Sequence, residues 1–333
     1  MKVLVTGASG MLGGGVAEAL MQRGDEVTVL QRRVSNIPGV REVLGDITVP
    51  GDVDRAMAGQ EAVVHLAAKV NITGRWEEYL RINAGGTLNM LDAARRHGIC
   101  RFVHTSSPSV AHAGTSIVGE GAGPASPEHA RGNYARSKAI SERMALEEDL
   151  RSQQAGSGPA VVVLRPHIVW GPRDTQLVAR VIRRAQAGRL PVVGNGAALI
   201  DTLYIDNAVD AFVAAVDRCI DVRGESFVVT NGEPRPVSEI FVSWARAGGV
   251  DPAPKVLPKR PALWVGSAVD VVTGLRERFG VLNEADPPLT RFLVEQLSTA
   301  HWFDQRRTQQ ALRWTPKVSL DEGFARVAEY YCR

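Results

Sequence analysis

Cysteine is scarce in this chain: Cys100, Cys219 and Cys332 are the three in 333 residues, odd in number, far apart and without a CxxC pair. That excludes a disulfide framework and a zinc knuckle, and points to a reducing cytoplasm. Neither sign of charge is in excess, with 39 Lys and Arg against 36 Asp and Glu for a net +3, and the basic residues are scattered among acidic ones. No basic stripe exists to follow a phosphate backbone, so nucleic acid is not an expected partner. Long hydrophobic runs are missing too. The longest, Pro261 to Leu275, contains Asp270 and falls short of the roughly 18 residues that a bilayer span needs. Met1-Lys2 leads straight into Val3-Leu4-Val5 and then glycines, which leaves no room for a signal peptide, so a cytoplasmic location is expected.

What the chain has is apolar material, 44% of its residues, enough for one large or two moderate domains. Val-rich runs at Lys2 to Thr6, Glu26 to Leu30, Ala62 to Leu66, Arg101 to Thr105 and Ala160 to Leu164 are continuous rather than alternating, as in strands buried on both faces of a parallel sheet. Helix-period segments lie between them: Leu12 to Arg23, Glu77 to His97 and Tyr134 to Arg151, each stopping near glycine. The expected fold is therefore α/β, a doubly wound parallel sheet of the Rossmann kind. From Gly171 onward Pro becomes frequent and the regularity fades. The expected division is a dinucleotide-binding domain over residues 1–170, with sheet contributions from 200–232, and a smaller substrate lobe over 171–333.

Gly7-Ala8-Ser9-Gly10-Met11-Leu12-Gly13 follows the first strand and opens the first helix. Glycines there permit a tight turn and let backbone N–H groups reach a pyrophosphate at the helix N-terminus. Gly7, Ser9, Gly10, Met11, Leu12 and Gly13 are the expected phosphate-side residues. A ribose 2′-OH is normally held by Asp or Glu at the end of the second strand, but here that strand runs into Gln31-Arg32-Arg33. Two guanidiniums suit a 2′-phosphate, which favours NADP (NADPH) over NAD; solvated arginines and an NAD enzyme are the alternative. Asp46-Ile47 is placed to border an adenine, or Asp46 simply makes a turn.

Tyr134 and Lys138 stand i, i+4 on a helix and so share a face, where a cation can favour ionisation of the phenol. Ser107 follows the Arg101 to Thr105 strand at the edge where parallel sheets place their active sites. Glycine loop, strand-end serine and YxxxK in this order point to a dehydrogenase or reductase with Tyr134 as general acid.

With these motifs the chain resembles an extended short-chain dehydrogenase/reductase, on Val64-His65-Leu66-Ala67-Ala68, Asn83-Ala84-Gly85-Gly86-Thr87, Thr105-Ser106-Ser107 and Arg165-Pro166 through Gly171-Pro172. It is most similar to the 3β-hydroxysteroid dehydrogenase-like branch, on Thr105-Ser106-Ser107-Pro108-Ser109-Val110. Within that branch it is similar to the bacterial 2-alkyl-3-oxoalkanoate reductases of long-chain olefin biosynthesis, on phrases such as Asn231-Gly232-Glu233-Pro234, Pro287-Pro288-Leu289-Thr290 and His301-Trp302. The resemblance implies that Tyr134 is the acid/base, that Lys138 tunes it and binds the nicotinamide ribose, and that Ser107 hydrogen-bonds the substrate oxygen. Asn83 matches an asparagine that supports a proton-relay water. Ala67, Pro166 and Ile168 would lie along the cofactor. Ala111-His112, where sugar epimerases often have Tyr-Gly, weighs against a nucleotide-sugar substrate.

The expectation is thus NADPH-dependent reduction of the 3-keto group of a long-chain 2-alkyl-3-oxo acid. A 3β-hydroxysteroid dehydrogenase and a catalytically silent NADP-binding scaffold are the alternatives. A lipid-like substrate, a homodimer and contact with a membrane surface or with other enzymes of the pathway are expected as partners. No metal is expected, since His65, His112 and His167 have no ligand spacing. Glu147-Glu148-Asp149 reads as a solvated helix face and Trp170 as a pocket wall. Pro261 to Leu275, continued by Leu289 to Leu297, is expected to cover the substrate's alkyl chains with Trp264, Ala268, Val271, Val272 and Leu275 on its greasy face, with an ordinary packing helix or a membrane contact as alternatives.

Overall fold

The computed structural model describes residues 1–70, 74–111, 115–278 and 291–331, with the backbone alone at 270–278, 291–293 and 296. Seven strands form one parallel sheet: β1 (Lys2–Thr6), β2 (Glu26–Gln31), β3 (Arg41–Leu44), β4 (Ala62–His65), β5 (Arg101–Thr105), β6 (Ala160–Pro166) and β7 (Ser226–Val229). Their order is β7-β6-β5-β4-β1-β2-β3, and every pairing is parallel. The order reverses between β1 and β4, so the loops leaving those two strands diverge and open a crevice at their carboxyl ends.

Alternate residues of each strand face opposite layers. Val3 and Val5 pack toward α1 (Met11–Gln22), and Leu4 packs toward α2 (Pro50–Met57) and α3 (Gly86–Arg96). Because both faces are covered, the strands need Val at successive positions, which is the pattern in the sequence. The edge strand β3 is short and half-exposed and shows no such run. Two more helices matter below: α4 (Asn133–Ala155), which ends at Gly156 with φ +64°, and α5 (Ile205–Arg218). The predicted Glu77 to His97 helix is present, but Leu80–Gly85 is a π-helical turn between Trp76–Tyr79 and α3.

After Gly171 the chain returns to the sheet through α5 and β7. Much of the remainder is helical, and its short strands build smaller sheets, one of which, ordered Arg235–Pro236, Leu199–Ile200, His301–Phe303 and Ile117–Glu120, takes in a strand from before Gly171. Trp170 is not a pocket wall. It is fully buried in the main core beside Tyr204, Trp244 and Phe324, with its indole N–H on Thr202 Oγ1 at 2.9 Å.

Two further expectations are corrected. Glu148 and Asp149 are buried, because α4 lies on the sheet and each carboxylate meets an arginine: Glu148 pairs with Arg95 and Arg151, and Asp149 with Arg223. Only Glu147 of the three is exposed. The helix Lys259–Arg278 packs Ala262 and Leu263 against Val193 and Val294 and turns Trp264, 80% exposed, and Ala268 to solvent. The face expected to cover the substrate therefore points outward as far as Ala268; the side chains of Val271, Val272 and Leu275, and residues 289–290, lie outside the described set. No described helix is long and apolar enough to cross a membrane.

Candidate active site

The crevice between β1 and β4 is floored by one hydroxyl. Thr6, the last residue of β1, stands in register with His65, the last of β4. Its Oγ1 accepts the N–H groups of Leu66 at 3.1 Å and Ala67 at 3.0 Å, so its own proton goes to His65 Nδ1 at 2.8 Å. That bond assigns the His65 tautomer with the proton on Nε2, which donates to Thr87 Oγ1 at 3.2 Å; Thr87 in turn donates to the Asn83 carbonyl at 2.7 Å. Burial, helped by the Lys138 charge, pushes His65 down to about 3, so this imidazole is neutral.

Above that floor the glycine loop makes its turn. Gly7 sits at φ +79°, and a Cβ there would lie 2.9 Å from the Ala67 nitrogen; a Cβ on Gly13 would overlap the Gly7 carbonyl. Both glycines are therefore required for α1 to press its first turn against the strand end. Gly10 caps α1 without a side chain, and Ser9 and Gly10 are exposed while Met11 and Leu12 are half-buried. A helix N-terminus with bare amides beside a backbone cradle fits a dinucleotide pyrophosphate.

At the end of β2, Arg32 and Arg33 are exposed and make no ion pair or hydrogen bond among the described residues. Sequence reasoning missed Glu42, on β3, which reaches toward the same turn and which no motif marks. Its Oε1 accepts from Gln31 Nε2 at 3.2 Å and from the Ser35 amide, and the Ser35 bonds hold its pKa below the ordinary carboxylate value. Asp46 makes a turn, accepting the Thr48 N–H at 2.9 Å, and Ile47 is buried against Gly86. Pro166 ends β6, and Ile168 two residues on holds φ +50°, a costly conformation for a β-branched side chain; its carbonyl accepts the Leu203 N–H at 3.2 Å.

Across the crevice, Ser107 follows β5 and Tyr134 opens α4, and the Ser107 hydroxyl favours ionisation of the Tyr134 phenol. Ser107 Oγ also takes the Ser109 N–H at 3.3 Å and lies 2.9 Å from Ser109 Oγ. Lys138, one turn along α4 from Tyr134, is 3% exposed. Burial lowers its pKa to about 8, with the Glu142 charge acting the other way. His104 also stays neutral, lowered by burial and then by Lys138. Burial pushes Tyr134 up to about 12, with the Ser107 hydroxyl acting the other way. A phenol withdrawn from water loses more hydration on ionising than that hydroxyl returns.

Asn83, on the π-helical turn, has both amide protons engaged. Its Oδ1 accepts the Lys69 N–H at 2.7 Å, and its Nδ2 donates to the Lys69 carbonyl at 3.1 Å and to Ser137 Oγ at 2.9 Å. It ties the loop after β4 to α4, and Asn133 does the same through the Gly74 carbonyl at 3.0 Å. One turn beyond Lys138, on the same face, Glu142 is fully buried against Arg165, with Nη2–Oε1 at 2.5 Å and Nε–Oε2 at 3.0 Å. His65 and His167 are buried, and His112 lies outside the described residues. Among the described residues no three metal-ligating side chains gather.

Residues 3–230 match the NAD dependent epimerase/dehydratase family. The chain is 37% identical to a 2-alkyl-3-oxoalkanoate reductase of Stenotrophomonas maltophilia (strain K279a), covering 98% of each. It is 27% identical to a 3-beta-hydroxysteroid dehydrogenase of Mycolicibacterium neoaurum, covering 99% of this chain and 91% of the other. Among solved structures it is similar to the UDP-glucose 4-epimerase of Thermus thermophilus in complex with NAD, with a TM-score of 0.73, 26% identity and coverage of 100% and 99%.

Proposed function

Because this chain belongs to the NAD dependent epimerase/dehydratase family, as an NAD(P)-dependent oxidoreductase of the extended short-chain dehydrogenase/reductase type, we propose that it reduces the 3-keto group of a long-chain 2-alkyl-3-oxoalkanoate with NADPH, in olefin biosynthesis. The observation that carries the chemistry is the Ser107 hydroxyl at the end of β5 acting on the Tyr134 phenol, which stands one helical turn from buried Lys138. The substrate class rests on the full-length similarity to the Stenotrophomonas reductase.

In this reading the pyrophosphate lies on Gly7, Ser9, Gly10, Met11, Leu12 and Gly13, with Ala67, Pro166 and Ile168 along the cofactor. Arg32 and Arg33 take a 2′-phosphate. Bound there, the dinucleotide supplies the hydride that reaches the keto carbon. Ser107 and Tyr134 both donate to the keto oxygen, which gathers negative charge as the hydride arrives. Tyr134 then gives up its proton, leaving a tyrosinate that Ser107 and the Lys138 cation stabilise. A phenol held near 12 is fully protonated at neutral pH and so is ready to act as the acid. Asn83 and Asn133 position α4, and Glu142 supports the charge on Lys138.

The reading includes a homodimer and a contact with a membrane surface or pathway enzymes. Trp264, Val265 and Val256 are exposed beside Lys255, Lys259 and Arg260, an amphipathic and basic combination; flotation with anionic vesicles tests the membrane contact.

The deciding experiment is cofactor reduction with a 2-alkyl-3-hydroxy acid beside a 3β-hydroxysteroid. Turnover of the hydroxy acid with NADP is expected. Turnover of the steroid alone would reassign the substrate, and turnover of neither would leave a silent binding protein. Tyr134→Phe should keep cofactor binding and lose more than about tenfold in turnover, a barrier rise above ~1.4 kcal/mol.

A further inference from the structure

Ser107 Oγ has an unusual set of neighbours. A hydroxyl oxygen has one proton to donate and two lone pairs to accept with. One lone pair takes the Ser109 backbone N–H at 3.3 Å, and the Ser109 hydroxyl stands 2.9 Å away. Ser107 also acts on the Tyr134 phenol, favouring its ionisation. Two arrangements satisfy this geometry. Either Ser109 O–H donates to Ser107 and Ser107 donates toward Tyr134, or the chain runs the other way and the Ser107 proton points back at Ser109. Only the first has the Ser107 proton aimed into the crevice, where it can donate to a reacting oxygen while Tyr134 keeps its own proton for transfer.

We propose that Ser109 is a positioning residue: with its N–H and O–H both directed at Ser107 Oγ, it fills that oxygen's two lone pairs and holds the Ser107 proton toward the reacting oxygen. The turn that brings this about is local. Pro108–Ala111 is a single 3-10 turn in which the Val110 N–H bonds the Ser107 carbonyl at 3.2 Å, folding Ser109 back over Ser107. The Ser109 hydroxyl meets Ser107 and not the phenol or Lys138, so it acts through Ser107. A donor chain Ser109 to Ser107 to the reacting oxygen also polarises each bond along it. The inference rests on the assignment of Ser107 and Tyr134 made above.

The test is a double-mutant cycle with a readout that needs no substrate. Ser109→Ala should lower kcat about three- to tenfold, the range one neutral hydrogen bond carries, with KM for the cofactor unchanged. Ser109→Thr, which restores the hydroxyl, should recover most of it. In a Ser107→Ala background Ser109→Ala should change nothing further. In the enzyme without cofactor or substrate, ultraviolet difference titration with Tyr134→Phe as the blank should show the phenol titrating at higher pH in Ser109→Ala, because Ser107 then stabilises the tyrosinate less. A merely structural role for Ser109 predicts equal losses in both backgrounds and no movement of the titration; either result would overturn the proposal. If the wild-type enzyme turns over neither candidate substrate, the functional reading fails while the titration still decides the role of Ser109.

Discussion

Removing the Glu142 carboxylate is the perturbation whose size the structure fixes best. Glu142 is 0% exposed and Arg165 1%, and the guanidinium gives three of its bonds to that carboxylate: Nη2 to Oε1 at 2.5 Å, and Nε to Oε2 at 3.0 Å and to Oε1 at 3.2 Å. Arg165 also donates to the carbonyls of Ala122 and Gly123, and Ser226 Oγ donates to Glu142 Oε1 at 2.8 Å. In Glu142→Gln the carbonyl bonds survive, but the guanidinium keeps its charge in a buried site without its counter-ion, and the new amide N–H₂ faces another donor. Breaking one side of such a pair costs about 3–5 kcal/mol, whereas replacing both sides with apolar residues of similar volume costs little. Glu142→Gln should therefore lose about 3–5 kcal/mol by denaturant unfolding followed through tryptophan fluorescence, and Glu142→Leu/Arg165→Met should regain most of it. A loss below about 1 kcal/mol, or a double variant no better than the single, would refute the argument. The same carboxylate supports the charge on Lys138, which sits at about 8. Without it Lys138 loses its proton at lower pH, so the basic limb of the pH profile for turnover should move down; an unmoved limb would separate the pair from the site's electrostatics.

Replacing Arg32 and Arg33 with Ala should weaken NADPH binding far more than NADH binding, because charge-assisted bonds to a phosphate are lost only with the former; equal weakening in calorimetric titrations would remove them from the phosphate. Asp201 gives a pH-dependent stability of unusual sign. Burial raises its carboxyl from 3.8 to about 6 against bonds from the Phe303 N–H and the Thr230 hydroxyl, and its Oδ1 has no partner among the described residues. Its contribution is fully present below the unfolded pKa and is lost as pH rises through about 6, on the order of 3 kcal/mol at most. Asp201→Asn should flatten that part of the stability curve, and a curve unchanged by the substitution would show that another group is responsible.

Much of this protein could be read from local pattern, because the forces concerned act within one element. Val at successive positions of Lys2–Thr6 and Ala160–Pro166 specifies strands covered on both sides. Glycine at 7 and 13 answers a steric demand within one turn, and the spacing of Tyr134 and Lys138 is a property of any helix. The tertiary structure decided what depends on which surfaces meet and how dry the contact is. Glu142 and Arg165 are 23 residues apart and become a buried pair only because α4 lies along β6. Asn83 spends its amide on the Lys69 backbone, a partner no side-chain pattern encodes. Helical spacing put Trp264 and Ala268 on one face, but which face the lobe covers was settled by Val193 and Val294 packing on the other. The protonation of Tyr134 followed the same rule: spacing placed a cation one turn away, and desolvation outweighed any ionising influence and held the phenol near 12.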